Sequence, residues 1–436
     1  MQIAVIGSGI SGLLTARLLA SRHHVCLYEA GPTLGGHTCT IDVELAGQSF
    51  AVDTGFMVFN QRTYPNFCRL LDLIGIDSQP SDMSFSVRCD RTGLEYEGSS
   101  LNGLFAQRRN FLRPRFYRLL ADILHFNRVA IAAQGKLSDE QSLGEFVRAH
   151  RLGSDFVEQY LVPMGAAIWS TQPSRMLEFP ARFTLAFMHN HGLLQVRDRP
   201  VWRTIPGGAR RYAMRLAADI QEVQLASPIR QVTRHNQGVL VSAANADPRT
   251  FDHVVLGCHS DQALRILADS SADEREVLSA IPYQTNEVIV HTDISLLPRT
   301  RRAWASWNYL TPQVDGEQAT ADVAVTYDLS RLQNVKSPTP ILATLNSPLE
   351  IAPQKVLRRL EFQHPVFSRA SAVAQARWAE INGPRRTWFC GAYWGHGFHE
   401  DGVRSALAVA KEFGVSLEAC TAACMKEPSG TVAIAR

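Results

Sequence analysis

Residues 2–14 of the chain, Q-I-A-V-I-G-S-G-I-S-G-L-L, predict a strand, a tight turn and a helix. A second strand-like run, H-V-C-L-Y, follows at 24–28. In this context Gly7 permits the turn, Gly9 lets backbone approach a pyrophosphate, and Gly12 lets helix and strand pack closely. The unpaired N–H groups of the helix N-terminus favour phosphate. The stretch therefore predicts a dinucleotide-binding site.

Three further signals extend this prediction along the chain. Glu29 follows the second strand, at the distance of about 20 residues where a carboxylate accepts from ribose hydroxyls. The doublet Gly35–Gly36 would bring more backbone amides to the pyrophosphate. The run D-T-G at 53–55 ends another strand-like segment. No second G-x-G-x-x-G occurs, which disfavours a reductase with its own pyridine-nucleotide domain.

This order of motifs resembles the flavoprotein superfamily of flavin amine oxidases, phytoene-type desaturases and protoporphyrinogen oxidases. Their pattern is G-x-G-x-x-G, an acid, G-G-R and then D-x-G, and His37 stands here in place of the arginine. The resemblance implies FAD; Cys390 or His37 could carry a covalent link, but no spacing demands one, so we expect noncovalent binding. The implied cofactor contacts are Gly7, Gly9, Ser11, Gly12, Glu29, Ala30, Gly35, Gly36, His37, Thr38, Asp53, Thr54, Gly55, Phe56, Ile229, Gly391, Asp401, Gly402 and Val403.

The same resemblance implies an α/β fold of two interleaved parts. A Rossmann-like FAD-binding domain of the glutathione-reductase type, amine oxidase branch, would alternate along the chain with an α+β substrate domain. The predicted boundaries are 1–75, 202–282 and 386–420 for the FAD-binding domain, 76–201 and 283–385 for the substrate domain, and 421–436 for a loose C-terminal tail.

The C-terminal stretch W-G-H-G-F-H-E-D-G-V-R-S-A-L, residues 394–407, resembles the last FAD motif of the superfamily. The resemblance implies that Gly391 ends a strand near the cofactor and that Gly402 and Val403 open a helix toward the flavin. Negative charge develops on that edge of the reduced ring, and a helix N-terminus would stabilise it. Asp401 is a candidate cap for this helix.

Three aromatic side chains of this stretch are candidate catalytic residues, because they would lie beside the flavin: Trp394, Phe398 and His399. His399 is a candidate proton donor, and a polar loop residue is the equal alternative. The pair His396 and His399 with Glu400 lacks the i,i+4 helical spacing of zinc motifs, so we expect no metal.

The candidate substrate contacts are Asn60, Tyr64, Trp169, Trp307 and Tyr309, with core packing as the alternative for each aromatic. Amine oxidases of this superfamily often keep a lysine near the flavin, yet none occurs in 282–310. They also favour a facing aromatic pair, for which Phe398 would provide one member without a phenol. Both departures favour an apolar C–H substrate over an amine.

Four runs are similar to predicted flavoproteins related to the N-terminal oxidase-like domain of plant cyclopropane fatty acid synthases: D-T-G-F-M-V-F-N, Y-L-V-P-M-G-A-A-I-W-S, W-A-S-W-N-Y and F-H-E-D-G-V-R-S-A-L. We therefore expect an FAD-dependent oxidoreductase that removes hydride from a fatty acyl or other apolar chain, as a desaturase, an oxidase or a redox-neutral double-bond isomerase. Oxidation of a small amine or polyamine is one alternative. A flavoprotein partner of a lipid methyltransferase, without turnover of its own, is another.

Composition limits the partners. A net charge of +3 over 436 residues argues against a nucleic-acid binder. Eight cysteines without a C-x-x-C pair, a strand-like start at Gln2 and no apolar run of about 18–20 residues predict a cytoplasmic protein. Residues 107–128 carry six Arg and one Asp among aromatic and leucine residues. This segment predicts either peripheral contact with anionic lipid or a partner, or a solvated charged face.

Overall fold

The structure is a computed structural model, and it describes residues 1–138, 140–169, 173–195, 198–313, 324–347 and 349–423. Most of the predicted tail, residues 424–436, lies outside the described residues.

The strands of the described residues are β1 (Gln2–Ile6), β2 (His24–Tyr28), β3 (Thr40–Leu45), β4 (Gln48–Asp53), β5 (Phe59–Asn60), β6 (Gln79–Pro80), β7 (Phe85–Cys89), β8 (Leu94–Glu97), β9 (Trp202–Thr204), β10 (Glu222–Gln224), β11 (Ile229–His235), β12 (Gly238–Ala243), β13 (Arg249–Phe251), β14 (His253–Leu256), β15 (Tyr283–His291), β16 (Trp307–Thr311), β17 (Ala324–Asp328), β18 (Leu342–Leu345), β19 (Val356–Pro365) and β20 (Thr387–Phe389).

The α-helices are α1 (Ile10–Leu19), α2 (Pro65–Ile74), α3 (Leu101–Leu104), α4 (Pro114–Ala132), α5 (Leu143–Ala149), α6 (Ser154–Phe156), α7 (Val162–Trp169), α8 (Pro173–Met176), α9 (Ala181–Asn190), α10 (Arg210–Ala217), α11 (Ser260–Ile266), α12 (Ala272–Ser279), α13 (Leu329–Leu332), α14 (Arg369–Ala376), α15 (Trp378–Ile381), α16 (His399–Glu412) and α17 (Ala419–Ala423). A π-helical turn at Val157–Leu161 joins α6 to α7. Single 3-10 turns lie at Arg108–Leu112, Ile294–Leu296, Arg301–Ala303, Pro353–Lys355, Pro384–Arg386 and Ala392–Trp394.

A parallel sheet in the order β10-β2-β1-β14-β20 organises the two ends of the chain. The central strand β1 is buried from Ile3 onward, as its continuous apolar run requires. Because parallel strands point the same way, the residues that follow β1, β2, β14 and β20 meet at one edge of the sheet, where such folds bind their ligands. This arrangement confirms the expected Rossmann-like α/β fold.

Helices α1 and α16 pack together on one face of this sheet, and close glycine contacts hold α1 against it. A Cβ on Gly12 would lie 2.0 Å from the carbonyl oxygen of Gly7, and a Cβ on Gly257 would lie 2.6 Å from the Cα of Gly12. Both contacts are with backbone, so no side chain fits there. The close packing expected of Gly12 is therefore present.

A mixed sheet in the order β19-β15-β18-β17-β16-β7-β8 forms the second layer of the molecule. Its strands β7 and β8 follow the predicted boundary near 76, and its other strands follow the predicted boundary at 283. The helices from α4 to α9 pack into an apolar cluster that also includes Val87, Leu94 and Tyr96 of this sheet. The exact domain boundaries stay a prediction. Across the described residues, no helix combines the length and apolar character needed to cross a bilayer.

Candidate active site

A cavity of about 730 Å³ begins at the carboxyl edge of the parallel sheet and continues between the mixed sheet and helices α7 and α9. This volume is in the range of small-molecule and cofactor sites, roughly 300–1,000 Å³. The residues that follow β1, β2, β14 and β20 all contribute to its wall, through Gly7, Glu29, Gly257 and Gly391. The fold therefore concentrates the glycine motifs on one site.

The end of the cavity at the Gly7–Gly12 turn, which we call the nucleotide end, is built from backbone and small side chains. A Cβ on Gly9 would meet no atom within 4 Å, so this position opens directly into the cavity. The Ser8 amide and hydroxyl donate to the Glu29 carboxylate at 2.9 and 2.6 Å, and the Gly31 amide donates to its other oxygen at 2.8 Å. Gly36 has a φ of 57° and approaches the Cα of Gly9. These features fit a dinucleotide.

His37 supplies a neutral ring where the superfamily pattern has a permanent cation. Its imidazole lies 5.1 Å from the ring of Phe362 and 4.9 Å from that of His364, measured between centroids. Its Nε2 is buried and has no hydrogen-bond partner among the described residues. Enclosure of the ring lowers the pKa of His37 well below its usual value. The side chain therefore offers a hydrogen bond to a bound group, but not a charge.

His399 lies at the junction between the nucleotide end and the rest of the cavity. Its ring stacks on Phe56 with centroids 3.5 Å apart and planes 5° apart, and its Nε2 lies 2.5 Å from the Tyr212 hydroxyl. Burial lowers the pKa of His399 to about 3. At neutral pH the ring is uncharged and already hydrogen-bonded, so the geometry favours a positioning role over that of the predicted proton donor, which stays a prediction.

Three consecutive residues at the start of α16 have three different environments. His399 lines the cavity. The Glu400 carboxylate accepts from the backbone amides of Asn66 and Phe67, and so caps α2. The Asp401 carboxylate accepts from the amides of His396 and Phe398, and so holds the loop that leads into its own helix.

Aromatic rings form one wall of the distal half of the cavity, which is the half farther from the Gly7–Gly12 turn. Phe187 stacks on His191 with centroids 3.8 Å apart and on Phe398 with centroids 4.6 Å apart. His191 in turn lies nearly parallel to Trp202, and Tyr64 closes the row. Burial lowers the pKa of His191 to about 4, so this histidine is also neutral.

The opposite wall comes from the mixed sheet and from α7. Trp307 and Tyr327 are paired across β16 and β17 and meet edge to face, with centroids 4.9 Å apart. The other side chains that the sheet and α7 turn toward the cavity are Phe85, Met164, Ile168, Trp169, Val288, Leu345 and Phe362. Among the described lining residues, the charged side chains are Glu29 at the nucleotide end and the exposed Arg265. The distal half is therefore uncharged and mainly apolar.

Most of the predicted site residues meet in this cavity. Those that line it are Gly7, Gly9, Ser11, Glu29, Ala30, Gly35, Gly36, His37, Thr54, Gly55, Phe56, Tyr64, Trp169, Ile229, Trp307, Gly391, Phe398 and His399. Their individual roles toward cofactor or substrate stay predictions.

The remaining predicted residues lie outside the lining: Gly12, Thr38, Asp53, Asn60, Tyr309, Trp394, Asp401, Gly402 and Val403. Asp53 accepts from the Ala209 amide at 2.9 Å and from Thr40, and it therefore sits at the start of α10. Asn60 accepts from the amides of Arg62 and Thr63 within its own turn.

Three aromatic or polar members of this group lie beside the cavity rather than on it. The Thr38 and Tyr212 hydroxyls are hydrogen-bonded to each other, and the Tyr212 hydroxyl also contacts His399. Tyr309 is buried in the apolar cluster of the mixed sheet, and Trp394 packs on Tyr393.

The helix that carries Gly402 and Val403 starts earlier than the sequence pattern indicated. Helix α16 begins at His399, so both residues lie within it, and Val403 is fully buried in the core. A Cβ on Gly402 would lie 2.7 Å from the Cγ2 of Ile10 and 2.9 Å from the Oγ of Ser11. The glycine therefore lets α16 approach α1. The residues that line the cavity here are His399, the first residue of α16, and Phe398, which precedes the helix.

The sequence patterns missed several lining residues, among them His191, Trp202, His259, Tyr327 and His364. Phe187 and His191 have the i,i+4 spacing of one helix face, which is a usable signal for stacking. His364 lies on the long strand β19. No local sequence pattern of this strand shows which of its side chains point toward the cavity.

A glycine turn at the edge of a parallel sheet, continuous with an aromatic chamber, is the arrangement expected of a flavoprotein oxidoreductase. The sequence model of the family of flavin-containing amine oxidoreductases matches residues 10–296. The chain therefore belongs to this family and is an FAD-dependent oxidoreductase, as the sequence motifs predicted.

Several solved structures share the fold at low sequence identity. A CLA-producing fatty acid isomerase from P. acnes matches at 15% identity with a TM-score of 0.65, over 94% of this chain and 98% of that one. Cyclohexylamine oxidase from Brevibacterium oxydans matches at 15% identity with a TM-score of 0.66, over 95% and 99%. Putrescine oxidase bound to putrescine matches at 15% identity with a TM-score of 0.65, over 95% and 99%. Comparison with curated proteins found no match.

Proposed function

We propose that the substrate of this FAD-dependent oxidoreductase is a fatty acyl chain or a similarly apolar molecule, from which hydride leaves a C–H carbon. The reaction would be a desaturation or an oxidation, or a redox-neutral shift of a double bond. The fold alone does not choose between lipid and amine, since solved structures that share it include a fatty acid isomerase and two amine oxidases.

The observation that carries the proposal is the character of the distal cavity wall. At neutral pH an amine substrate is mostly protonated to an ammonium ion. Burying this cation without a negative partner costs free energy. The described lining offers that cation one carboxylate, Glu29, which lies at the opposite end and is held by Ser8 and Gly31. A hydrocarbon chain, in contrast, gains free energy by leaving water for this wall, about 0.8 kcal/mol per buried methylene.

The residues at the first turn would hold the cofactor. The amides after Gly9 and the doublet Gly35–Gly36 would face the pyrophosphate, and Glu29 would accept from the ribose. When bound, the flavin supplies the hydride acceptor, while the protein contributes binding, orientation and exclusion of water. His399, fixed by Tyr212 and Phe56, would keep a neutral surface against the ring.

We further propose that FAD is bound noncovalently. The Cys390 thiol is fully buried, receives a hydrogen bond from the Thr15 hydroxyl and does not line the cavity. Burial raises the pKa of Cys390 to about 12 and that of Cys258, which does line the cavity, to a similar value, so neither thiol is an activated nucleophile. Acid precipitation should release all of the flavin into the supernatant. Flavin that stays with the protein pellet would overturn this point.

Anaerobic mixing of the flavin-loaded full-length protein with substrates tests the acyl proposal. Oleic and linoleic acids are compared with putrescine and cyclohexylamine, while flavin absorbance and substrate conversion are followed together. We expect an unsaturated acid either to bleach the flavin or to be converted to a positional isomer without lasting bleaching. Bleaching by an amine, with both acids unchanged, would overturn the proposal. Failure of all four substrates, together with tight binding to a lipid methyltransferase, would favour the non-catalytic alternative instead.

A pair of nearby tryptophans provides a matched control. Trp307 lines the cavity, whereas Trp304 donates to the Pro298 carbonyl near the surface. Trp307→Ala should lower kcat/KM for the acyl substrate by about tenfold or more without loss of bound flavin, because it removes apolar contact surface. Trp304→Ala should leave kcat/KM nearly unchanged. Equal effects of the two substitutions would contradict the assignment of the chamber wall.

A further inference from the structure

Helix α4 has an apolar stripe on its outer side as well as on its inner side. Phe116, Leu119 and Phe126 are buried against the helical cluster and anchor the helix. Tyr117 and Leu124, seven residues apart, are exposed on the opposite side, and Leu124 exposes 59% of its surface. Residues at this spacing fall on the same helix face. The outer side of α4 is therefore not an ordinary solvated surface.

The turn before α4 enlarges this apolar surface. Phe111 and Leu112 are exposed, and Leu112 exposes 87% of its surface. Phe111 is held in place by stacking on Phe105 with centroids 4.0 Å apart and planes 3° apart. A shallow groove joins these residues with the start of the helix, and it is lined by Phe111, Leu112, Pro114, Tyr117, Arg118 and Ala121. We call these six residues, together with the exposed Leu124, the α4 face. A group of exposed apolar side chains of this kind is a candidate interaction site.

Arginines surround the α4 face with little compensating negative charge. Arg115 is neutralised by Asp155, whereas Arg118 forms no ion pair with a carboxylate among the described residues. The acid of the segment, Asp122, accepts from the Gly153 amide. Arg109 is exposed and donates to the Gly93 carbonyl, which leaves its positive charge uncompensated. The partner of this face must therefore be both apolar and anionic.

We propose that the α4 face docks on the surface of an anionic lipid bilayer. The apolar side chains of Phe111, Leu112 and Tyr117 would enter the boundary between headgroups and acyl chains, and Arg118 would lie at the level of the lipid phosphates. This composition, with Phe and Leu on the inserted side and Arg around it, is that of helices that lie in the membrane interface. The inference is independent of the acyl substrate, since docking would serve an amine oxidase equally.

Co-sedimentation of the full-length, flavin-loaded protein with vesicles tests the inference. Vesicles of phosphatidylcholine alone are compared with vesicles that also contain phosphatidylglycerol, at low and high salt. We expect binding to the anionic vesicles that weakens as salt screens the arginines. Absence of vesicle binding would overturn the proposal, and so would equal binding to both kinds of vesicle.

Matched variants locate the contact. Leu124→Glu and Leu112→Glu should each weaken partitioning by about tenfold or more, and Arg118→Glu should do the same. The controls are Val373→Glu, whose side chain is also 59% exposed, and Arg358→Glu, an exposed arginine on β19. Both controls should bind as the unchanged protein does, and all variants should keep the same unfolding midpoint and flavin content. A concentration-dependent dimer that Leu112→Glu abolishes, without vesicle binding, would instead identify a contact between two copies and overturn the proposal.

Discussion

The molecule brings two glycine-containing helix starts to one cavity, and it uses them differently. At the start of α1, Gly9 opens directly into the cavity, so backbone itself forms the wall. At the start of α16, the cavity wall is made by the rings of Phe398 and His399, and Gly402 faces α1 instead. Glycine therefore leaves the first helix start open to the cavity, and it lets the second helix approach its neighbour closely.

The carboxylates near the two helix starts, Glu29 and Asp401, also differ in whether they line the cavity. Glu29 accepts from Ser8 at the edge of the cavity, where a ribose would reach it. Asp401 accepts from amides of its own loop and lies outside the cavity wall. Burial raises the pKa of Asp401, despite its two backbone donors. The Glu29 carboxylate thus lies in the cavity wall, whereas the Asp401 carboxylate holds the loop that carries Phe398.

The largest effect should come from Gly12→Ala. The new methyl group would lie 2.0 Å from the Gly7 carbonyl, a backbone atom that cannot rotate away. We expect the free energy of unfolding to fall by about 3 kcal/mol or more, as in severe overpacking. Urea titration followed by circular dichroism measures the change. Unfolding at the same urea concentration as the unchanged protein would show that α1 is not held in place by this contact.

Gly9→Ala should separate binding from folding. Its φ of −57° is allowed for alanine, and its methyl group would meet no protein atom within 4 Å. The methyl group would instead occupy space needed by the pyrophosphate. Flavin affinity, measured by fluorescence titration of the apoprotein, should fall about 100-fold, or about 2.7 kcal/mol. The free energy of unfolding of the apoprotein should change by less than about 1 kcal/mol. Unchanged affinity would contradict the proposed approach of backbone to phosphate.

His399 at the second helix start should make stability depend on pH. Its folded-state pKa of about 3 lies below the usual value of 6.5, so below pH 6.5 the unfolded chain binds more protons than the folded chain. The contribution of His399 to stability is therefore complete above pH 6.5 and is lost progressively as the pH falls toward 3.

His399→Gln should remove up to about 1.4 kcal/mol per pH unit from this slope, as one titrating group predicts. His191 and His364, whose pKa burial lowers to about 4, remain in the variant and provide the background slope. Urea titrations at a series of pH values measure the difference between the two proteins. Parallel slopes would mean that His399 is protonated equally in both states.

Gly402→Ala should have the smallest effect. The methyl group would lie within 3 Å of side-chain atoms of Ile10 and Ser11, which must move aside, whereas the contact in Gly12→Ala is with backbone. Alanine also favours a helix by about 1 kcal/mol over glycine, which offsets part of this cost. We expect a net loss of about 1 kcal/mol in unfolding free energy. Flavin affinity should fall much less than in Gly9→Ala. An equal fall in both variants would show that both helix starts approach the cofactor through backbone.

The sequence by itself determined the parallel-sheet fold and the family, and it predicted the glycine turn at which the cavity begins. The glycine turn lies between β1 and α1, and its meaning depends on neighbours within about 30 residues, which a sequence displays directly. The prediction for Gly7, Gly9 and Glu29 placed all three where the cavity begins, because strand, turn and helix geometry leaves little freedom there.

Only the tertiary structure decided which other side chains face the cavity. Asp53 and Asn60 belong to promising local patterns, yet packing directs them to a helix cap and a turn. His364 belongs to no local pattern, and His191 belongs only to an i,i+4 pair with Phe187. The packing of α9 and β19 brings these two histidines to the cavity from distant parts of the chain. The direction of a side chain in a loop, and the inward face of a strand, depend on what packs against it. That information is absent from local spacing and exists only once the layers are assembled.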